Sequence, residues 1–253
     1  MKRFLAALRF LTICPLPGSW GTAEEDLARS VPSFPLVGLL LGGLAAAAAW
    51  VLGRLDVPAM LAALALVVLL LIFSGCLHLD GLSDSADGLL SSRSRDRMLE
   101  IMKDSHVGPM GVVAVLVILL AKFSALASMR PGLRWAAVLL MPLAGRAAIV
   151  VHLALLRCVR PGGLGAIFCH TGRRLAAVWS LALLAAVGWG LFGPRGLAVA
   201  GVALAATLVS ALYLHRKLGG ITGDTLGAVS EIVETVPAVM LAVWPLTLAR
   251  WIP

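Results

Sequence analysis

Acidic side chains are scarce in this chain and unevenly placed. Of 13 Asp and Glu among 253 residues, six lie between Asp80 and Asp104 and three between Asp224 and Glu234. The stretch HLDGLSDSADG sets Asp80, Asp84 and Asp87 at helical spacing. At about 100° per residue the three carboxylates share one helix face within roughly 60°. Like charges so placed repel one another, so a positive partner belongs there. Hard carboxylate oxygens suit a divalent ion, and Mg²⁺ takes one or two carboxylates together with phosphate oxygens and water. The pattern points to metal-assisted chemistry on a phosphate compound, with Asp80, Asp84 and Asp87 as metal ligands. The plainer alternative is a solvated helix end whose acids pair with Arg93, Arg95 and Arg97.

Further groups fit the same chemistry. In RDRMLEIMKDSHVGPMG, Glu100 and Asp104 are four residues apart with Lys103 alongside. The stretch is either a juxtamembrane helix capped by charge or a functional segment in which Asp104 is a further ligand or base and Lys103 a phosphate contact. In GGITGDTLGAVSEIVET, Gly219, Gly220 and Gly223 permit the close backbone approach that phosphate binding needs. Asp224 and Glu231 fall within about 20° of each other on a helix. Gly227 lies between them and leaves that face open to a ligand or a neighbouring helix. Both acids are catalytic candidates. Arg157 and Arg160, beside Gly162, Gly163 and Gly165, offer basic groups to an anionic substrate. Lys122 and Arg146 fall inside apolar stretches, where each costs about 2.5–3.5 kcal/mol at a helix centre. Arg146 has small neighbours and either holds a phosphate or balances an acid. Lys122 either faces a polar cavity or snorkels outward.

These residues sit on a chain that is 60% hydrophobic and 13% charged. Soluble domains average about 45–50% apolar and about 25% charged, so a soluble enzyme and a disordered chain are both excluded. The net charge of +8 reflects basic loops at a membrane, not nucleic acid binding. Charge-poor stretches mark candidate spans at Ser30–Gly53, Val57–Leu79, Val107–Ala121, Trp135–Leu156, Leu175–Pro194, Gly196–His215 and Thr235–Ala249. The expected fold is all-α: one polytopic integral membrane helical bundle over 1–253, with six or seven transmembrane helices and seven preferred. Residues 1–29 form an interfacial, cytoplasmic N-terminal segment, since Arg9 breaks the apolar run and no cleavage site follows. With seven spans, 14 Lys and Arg fall on one side and five on the other, with Arg250 among the five. The richer side is then cytoplasmic, and it carries the acidic segments 77–106 and 215–234. Cys14, Cys76, Cys158 and Cys169 form no C-x-x-C pair and lie near that side, so neither zinc nor a disulfide framework is expected.

The motifs also resemble a known family. FLTICPLPG near the start, GCLHLDGLSDSADGLL at 75–90, LEIMKDSHVGPMGV at 99–112, AGR at 144–146 and GGITGDTLGAVSEIVE at 219–234 resemble the cobalamin synthase (adenosylcobinamide-GDP ribazoletransferase) family, in order and over most of the chain. Cys76 stands where a small residue such as glycine is expected, and His106 where Arg is common. The resemblance implies a Mg²⁺-dependent enzyme of a bacterial cytoplasmic (inner) membrane. It would join adenosylcobinamide-GDP to α-ribazole or its 5′-phosphate, release GMP and form adenosylcobalamin or its phosphate. Carried over by motif, Asp80, Asp84 and Asp87 hold the metal, and Asp104 and Asp224 come next as ligand or base. Lys103, Arg146 and Arg160 contact phosphate. A homo-oligomer is left open. The alternative class is a divalent-cation transporter, which would place its acids near the bilayer midplane.

Overall fold

A computed structural model describes residues 1–16, 18, 21–160, 167–168 and 173–244. Gly162, Gly163, Gly165, Cys169 and Arg250, named above, lie outside them. The elements are helices: α1 (Lys2–Leu11), α2 (Glu24–Ala28), α3 (Phe34–Arg54), α4 (Ala59–Ser74), α5 (Leu77–Leu89), α6 (Arg95–Ile101), α7 (Pro109–Ser128), α8 (Pro131–Leu155), α9 (Arg174–Phe192), α10 (Pro194–Leu218) and α11 (Gly223–Val243). Six of them (α3, α7, α8, α9, α10 and α11) are long and apolar enough to cross a membrane. Outward-facing Leu116, Val117, Leu120, Val209 and Leu212 stay exposed, as side chains against lipid tails would. The all-α polytopic bundle read from the sequence is the fold observed.

The seventh crossing is α4, the first limb of the bent pair α4 and α5. The sequence reading treats Val57–Leu79 as one span. The structure breaks it at Gly75 and Cys76, both left-handed (φ 56° and 58°), and bends the pair by 90°. Two successive left-handed residues cannot continue a right-handed helix. Gly75 accepts that conformation freely, whereas Cys76 is a residue type that seldom adopts it. The glycine expected at position 76 thus has a conformational reason.

Helix α8 is the centre of the bundle, buried along most of its length. It packs on α3 backbone to backbone, because a side chain on Gly38 or Gly42 would strike the carbonyls of Pro142 or Leu139. Small residues allow this approach within a membrane. The pairing of Gly38 with Pro142 and Gly42 with Leu139 makes α3 and α8 antiparallel. Gly145 against Ser230, with Cys158 just past the end of α8 paired to Ile221 just before the start of α11, makes α8 and α11 antiparallel too. Helices α3, α7 and α11 therefore start at one face. The Ile13 amide bonds the Phe73 carbonyl at 3.1 Å, so α4 ends at that face as well, beside α1. The chain returns to it through α4, α8 and α10, which gives seven crossings.

One boundary and one cysteine differ from the sequence reading. The last span starts at Gly223, not Thr235, because a capping box fixes its first turn: the Thr225 amide donates to Thr222 Oγ1 at 3.2 Å, and the Thr222 amide to Thr225 Oγ1 at 2.8 Å. The second acidic window therefore rides on a spanning helix rather than preceding it. In addition, Cys158 is disulfide-bonded, against the expectation of reduced thiols, while Cys14 and Cys76 are free.

Candidate active site

Helix α5 turns away from α4 and lies across the ends of α7 and α11, outside the crossing segments. Its glycines set how closely it docks. A Cβ on Gly81 would come within 2.7 Å of the Asp224 carbonyl oxygen, and one on Gly227 within 3.1 Å of the His78 carbonyl oxygen. The two helices therefore touch through their backbones at these points. Gly227 leaves its face open, as expected, and α5 is the neighbour that fills it. The contact brings Asp80 and Asp84 of α5 beside Asp224 of α11. Acids more than 130 positions apart in the sequence thus meet at one face.

The electrostatics follow from that meeting. Asp80 is exposed and Asp84 half-buried. Burial and the charges of Asp80, Asp224 and Asp87 push the Asp84 carboxyl up to about 6. Arg160 is the cation closest to hand. Its Nη1 donates to Asp224 Oδ2 at 2.9 Å and its Nη2 to the Leu99 carbonyl at 3.1 Å. Two backbone bonds place that arginine: Val159 N to the Ile221 carbonyl at 3.0 Å, and Ile221 N to the Arg157 carbonyl at 2.9 Å. Gly220 permits the pairing, since a side chain there would run into the Arg157 carbonyl.

Asp87 is oriented differently. Its carboxylate accepts from the Gly108 amide at 2.7 Å and the Gly111 amide at 2.9 Å. It caps the N-terminus of α7, satisfying amides that the helix leaves without partners. Its negative charge still acts on Asp84, but both oxygens are engaged by backbone.

Glu231 and Arg146 belong to a separate buried group. Lys122 Nζ lies 2.6 Å from Glu231 Oε2 and 2.9 Å from Glu234 Oε1, and Arg146 pairs with the other oxygen of Glu234. All four residues are buried, and two cations balance two anions. The seven residues from Asp224 to Glu231 rise about 10 Å, which takes this quartet into the bundle. Arg146 balances an acid, the second of its two expected roles, and Lys122 points inward rather than snorkelling. The sequence reading placed Glu234 in the cytoplasmic-face segment 215–234; the structure buries it inside the bundle, and nothing in the sequence identified its partners.

Lys103 and Asp104 stay on an exposed turn after α6. Asp104 accepts from the amide of His106 at 3.0 Å and contacts its ring nitrogen at 2.6 Å. That bond holds Asp104 below the usual carboxylate range. Glu100 pairs with Arg97 at 2.7 Å.

Among the described residues, no three His, Cys, Asp or Glu side chains form a ready cage for an ion. That donor set still fits Mg²⁺, which keeps waters and takes substrate phosphate oxygens beside one or two carboxylates. Asp80, Asp84 and Asp224 crowd negative charge around Asp84 and are the residues that would hold it.

The sequence model of one family, cobalamin-5-phosphate synthase, matches residues 3–242. The chain belongs to the cobalamin-5-phosphate synthase family. It is 40% identical over 234 residues to the adenosylcobinamide-GDP ribazoletransferase of Geotalea daltonii, covering 92% of this chain and 94% of that one. It is 40% identical over 230 residues to the protein of the same name from Desulforamulus reducens, covering 90% and 91%. For the Escherichia coli K12 protein of that name the identity is 40% over 245 residues, covering 93% and 97%. No solved structure matches the chain. Membership places it among the transferases of cobalamin biosynthesis, and its helices make it a multi-pass membrane protein.

Proposed function

We propose that the chain joins adenosylcobinamide-GDP to α-ribazole or its 5′-phosphate, releasing GMP and forming adenosylcobalamin or its phosphate. The reaction takes place on the face of a bacterial cytoplasmic membrane where α3, α7 and α11 begin. That face carries α1 and most of the Lys and Arg outside the spans, a charge bias that supports its cytoplasmic placement. One observation carries the reading. The backbone contact of Gly81 with Asp224 gathers Asp80, Asp84 and Asp224 beside Arg160.

A ribose hydroxyl of the ribazole forms a bond to the phosphorus on the corrinoid side. The bond from that phosphorus to the bridging oxygen breaks, and GMP leaves with the electron pair. A carboxylate of the acidic group takes the hydroxyl proton. Arg160 stands where negative charge gathers on the transferring phosphate. Bound at Asp80, Asp84 and Asp224, Mg²⁺ would supply Lewis-acid stabilisation of phosphate charge. The intramembrane acids Glu231 and Glu234 are already neutralised by Lys122 and Arg146, which argues against a cation-transport path through them.

The test uses detergent-purified protein with both substrates. GMP release is expected with Mg²⁺ and is lost on chelation. Asp84→Asn should abolish it while helix content and melting temperature hold. Wild-type protein that releases no GMP from adenosylcobinamide-GDP and α-ribazole in Mg²⁺ overturns the reading.

A further inference from the structure

We propose that the cavity between α1, α3, α5 and α11 seats the fused aromatic base of the ribazole, with α1 as one of its walls. This rests on the transferase reading and adds which part of which substrate the cavity takes. The cavity is about 240 Å³, and its lining includes two groups of different character. One is aromatic: Phe10 of α1 lies 4.6 Å from Phe168, and Phe34 of α3 lies 5.4 Å from Phe168 between ring centres. The other is charged: Asp80, Asp224 and Arg160, with Arg160 bonded to Asp224.

Size decides first. Pockets for drug-sized ligands run about 300–1,000 Å³, so a corrin ring is far too large for this one, whereas a bicyclic base with part of its sugar fits. Polarity decides next. The other aromatic bases in the two substrates are the guanine of GDP and the adenine of the adenosyl group, whose edges carry hydrogen-bond donors and acceptors. The phenylalanine rings offer these groups nothing, and burying them unpaired is costly. The dimethylbenzimidazole of ribazole has an apolar, methylated edge that matches such a wall. With its base against the phenylalanines, the attached ribose extends toward Asp80 and Asp224, where the attacking hydroxyl is needed. Two lining residues also carry buried nitrogens without partners, His78 Nδ1 and Arg160 Nε, so the cavity has polar capacity left for a ligand atom.

Phe34 and Phe168 are fully buried and hold the bundle together, while Phe10 is only partly buried. Phe10 is therefore the ring that a ligand can cover. This gives α1 a role beyond lying at the membrane surface. Its Ala6, Ala7, Leu8 and Leu11 are buried and fix Phe10 in place.

The experiment compares wild type, Phe10→Ala and Phe10→Leu as full-length protein in detergent. Binding of α-ribazole alone is read by equilibrium dialysis, and KM is read for each substrate separately. Removing a stacked ring typically weakens base binding by about tenfold or more. Phe10→Ala should therefore lose at least about tenfold in α-ribazole affinity and raise its KM alike, with the KM for adenosylcobinamide-GDP at the wild-type value. Phe10→Leu, which keeps most of the apolar volume, should fall between and decides the matter if Phe10→Ala does not fold. Unchanged α-ribazole affinity, or an equal rise in both KM values, overturns the proposal. A wild type without GMP release would instead sink the transferase reading, so the two failures are distinguishable.

Discussion

Arg160 donates to Asp224 across 64 residues of chain, at 2.9 Å, while its second amino group holds the Leu99 carbonyl. One guanidinium thus ties the acid at the start of α11 to the end of α6. A lysine in its place supplies the charge but not the two-pronged reach. Charge-assisted bonds of this kind contribute about 1.5–3 kcal/mol, so Arg160→Ala should lower kcat/KM by about tenfold to hundredfold. Arg160→Lys should recover only part of the loss. Steady-state GMP release measures both. An Arg160→Ala enzyme at full activity would mean the arginine serves neither Asp224 nor the phosphate.

The buried quartet yields a prediction about stability. Lys122→Met leaves Glu231 and Glu234 to share Arg146 alone. Removing one partner of a buried ion pair costs about 3–5 kcal/mol, visible as a large drop in melting temperature in detergent. Lys122→Met combined with Glu231→Leu restores charge balance around Glu234 and Arg146 and should recover most of that loss. Activity is expected to return with it, because Glu231 lies well inside the bundle. A stable but inactive double variant would assign Glu231 a part in the chemistry.

The parts of this fold readable in the sequence were those that leave a local trace. Charge-poor runs mark the crossings, and helical spacing places Asp80 and Asp84 on one face. Gly227 announces a close neighbour without naming it. Contacts between distant residues leave no such trace. Lys122 meets Glu231 across 109 positions, and an apolar run containing a lysine looks the same whether that lysine snorkels or is paired. The break at Cys76 is hidden because hydropathy continues through it, and only backbone conformation changes. Asp87 shares a helix face with Asp84, yet its partners are amides of the next helix, and amides carry no residue type.

Asp87 and Asp84 should therefore separate on mutation. Asp87→Asn weakens the cap on α7, and loss of an N-cap costs about 0.5–2 kcal/mol. Its melting temperature should drop, and part of its activity should remain. Asp84→Asn removes no hydrogen bond within the described residues and relieves repulsion among like charges, so its melting temperature should hold or rise while GMP release is lost. Thermal melts and turnover on the two proteins, made in parallel, check this. The opposite pattern would make Asp87 the metal ligand and Asp84 the structural acid.

The last prediction concerns spacing rather than charge. A methyl group at position 81 meets the Asp224 carbonyl at 2.7 Å, and a backbone atom inside a helix cannot swing aside as a side chain would. Gly81→Ala must push α5 off α11, and overpacking of this kind costs about 1–3 kcal/mol. The shift also separates Asp80 and Asp84 from Asp224 without altering any carboxylate. Gly43→Ala on α3 is the matched control, because a methyl group there meets nothing within 4 Å and alanine favours the helix. Gly81→Ala should lose most of its GMP release at saturating substrate, and added Mg²⁺ should restore part of it if the acids still meet loosely. Gly43→Ala should match wild type. Equal activity in the two would show that the acids act without close contact between α5 and α11, and the site would then have to be drawn from α5 alone.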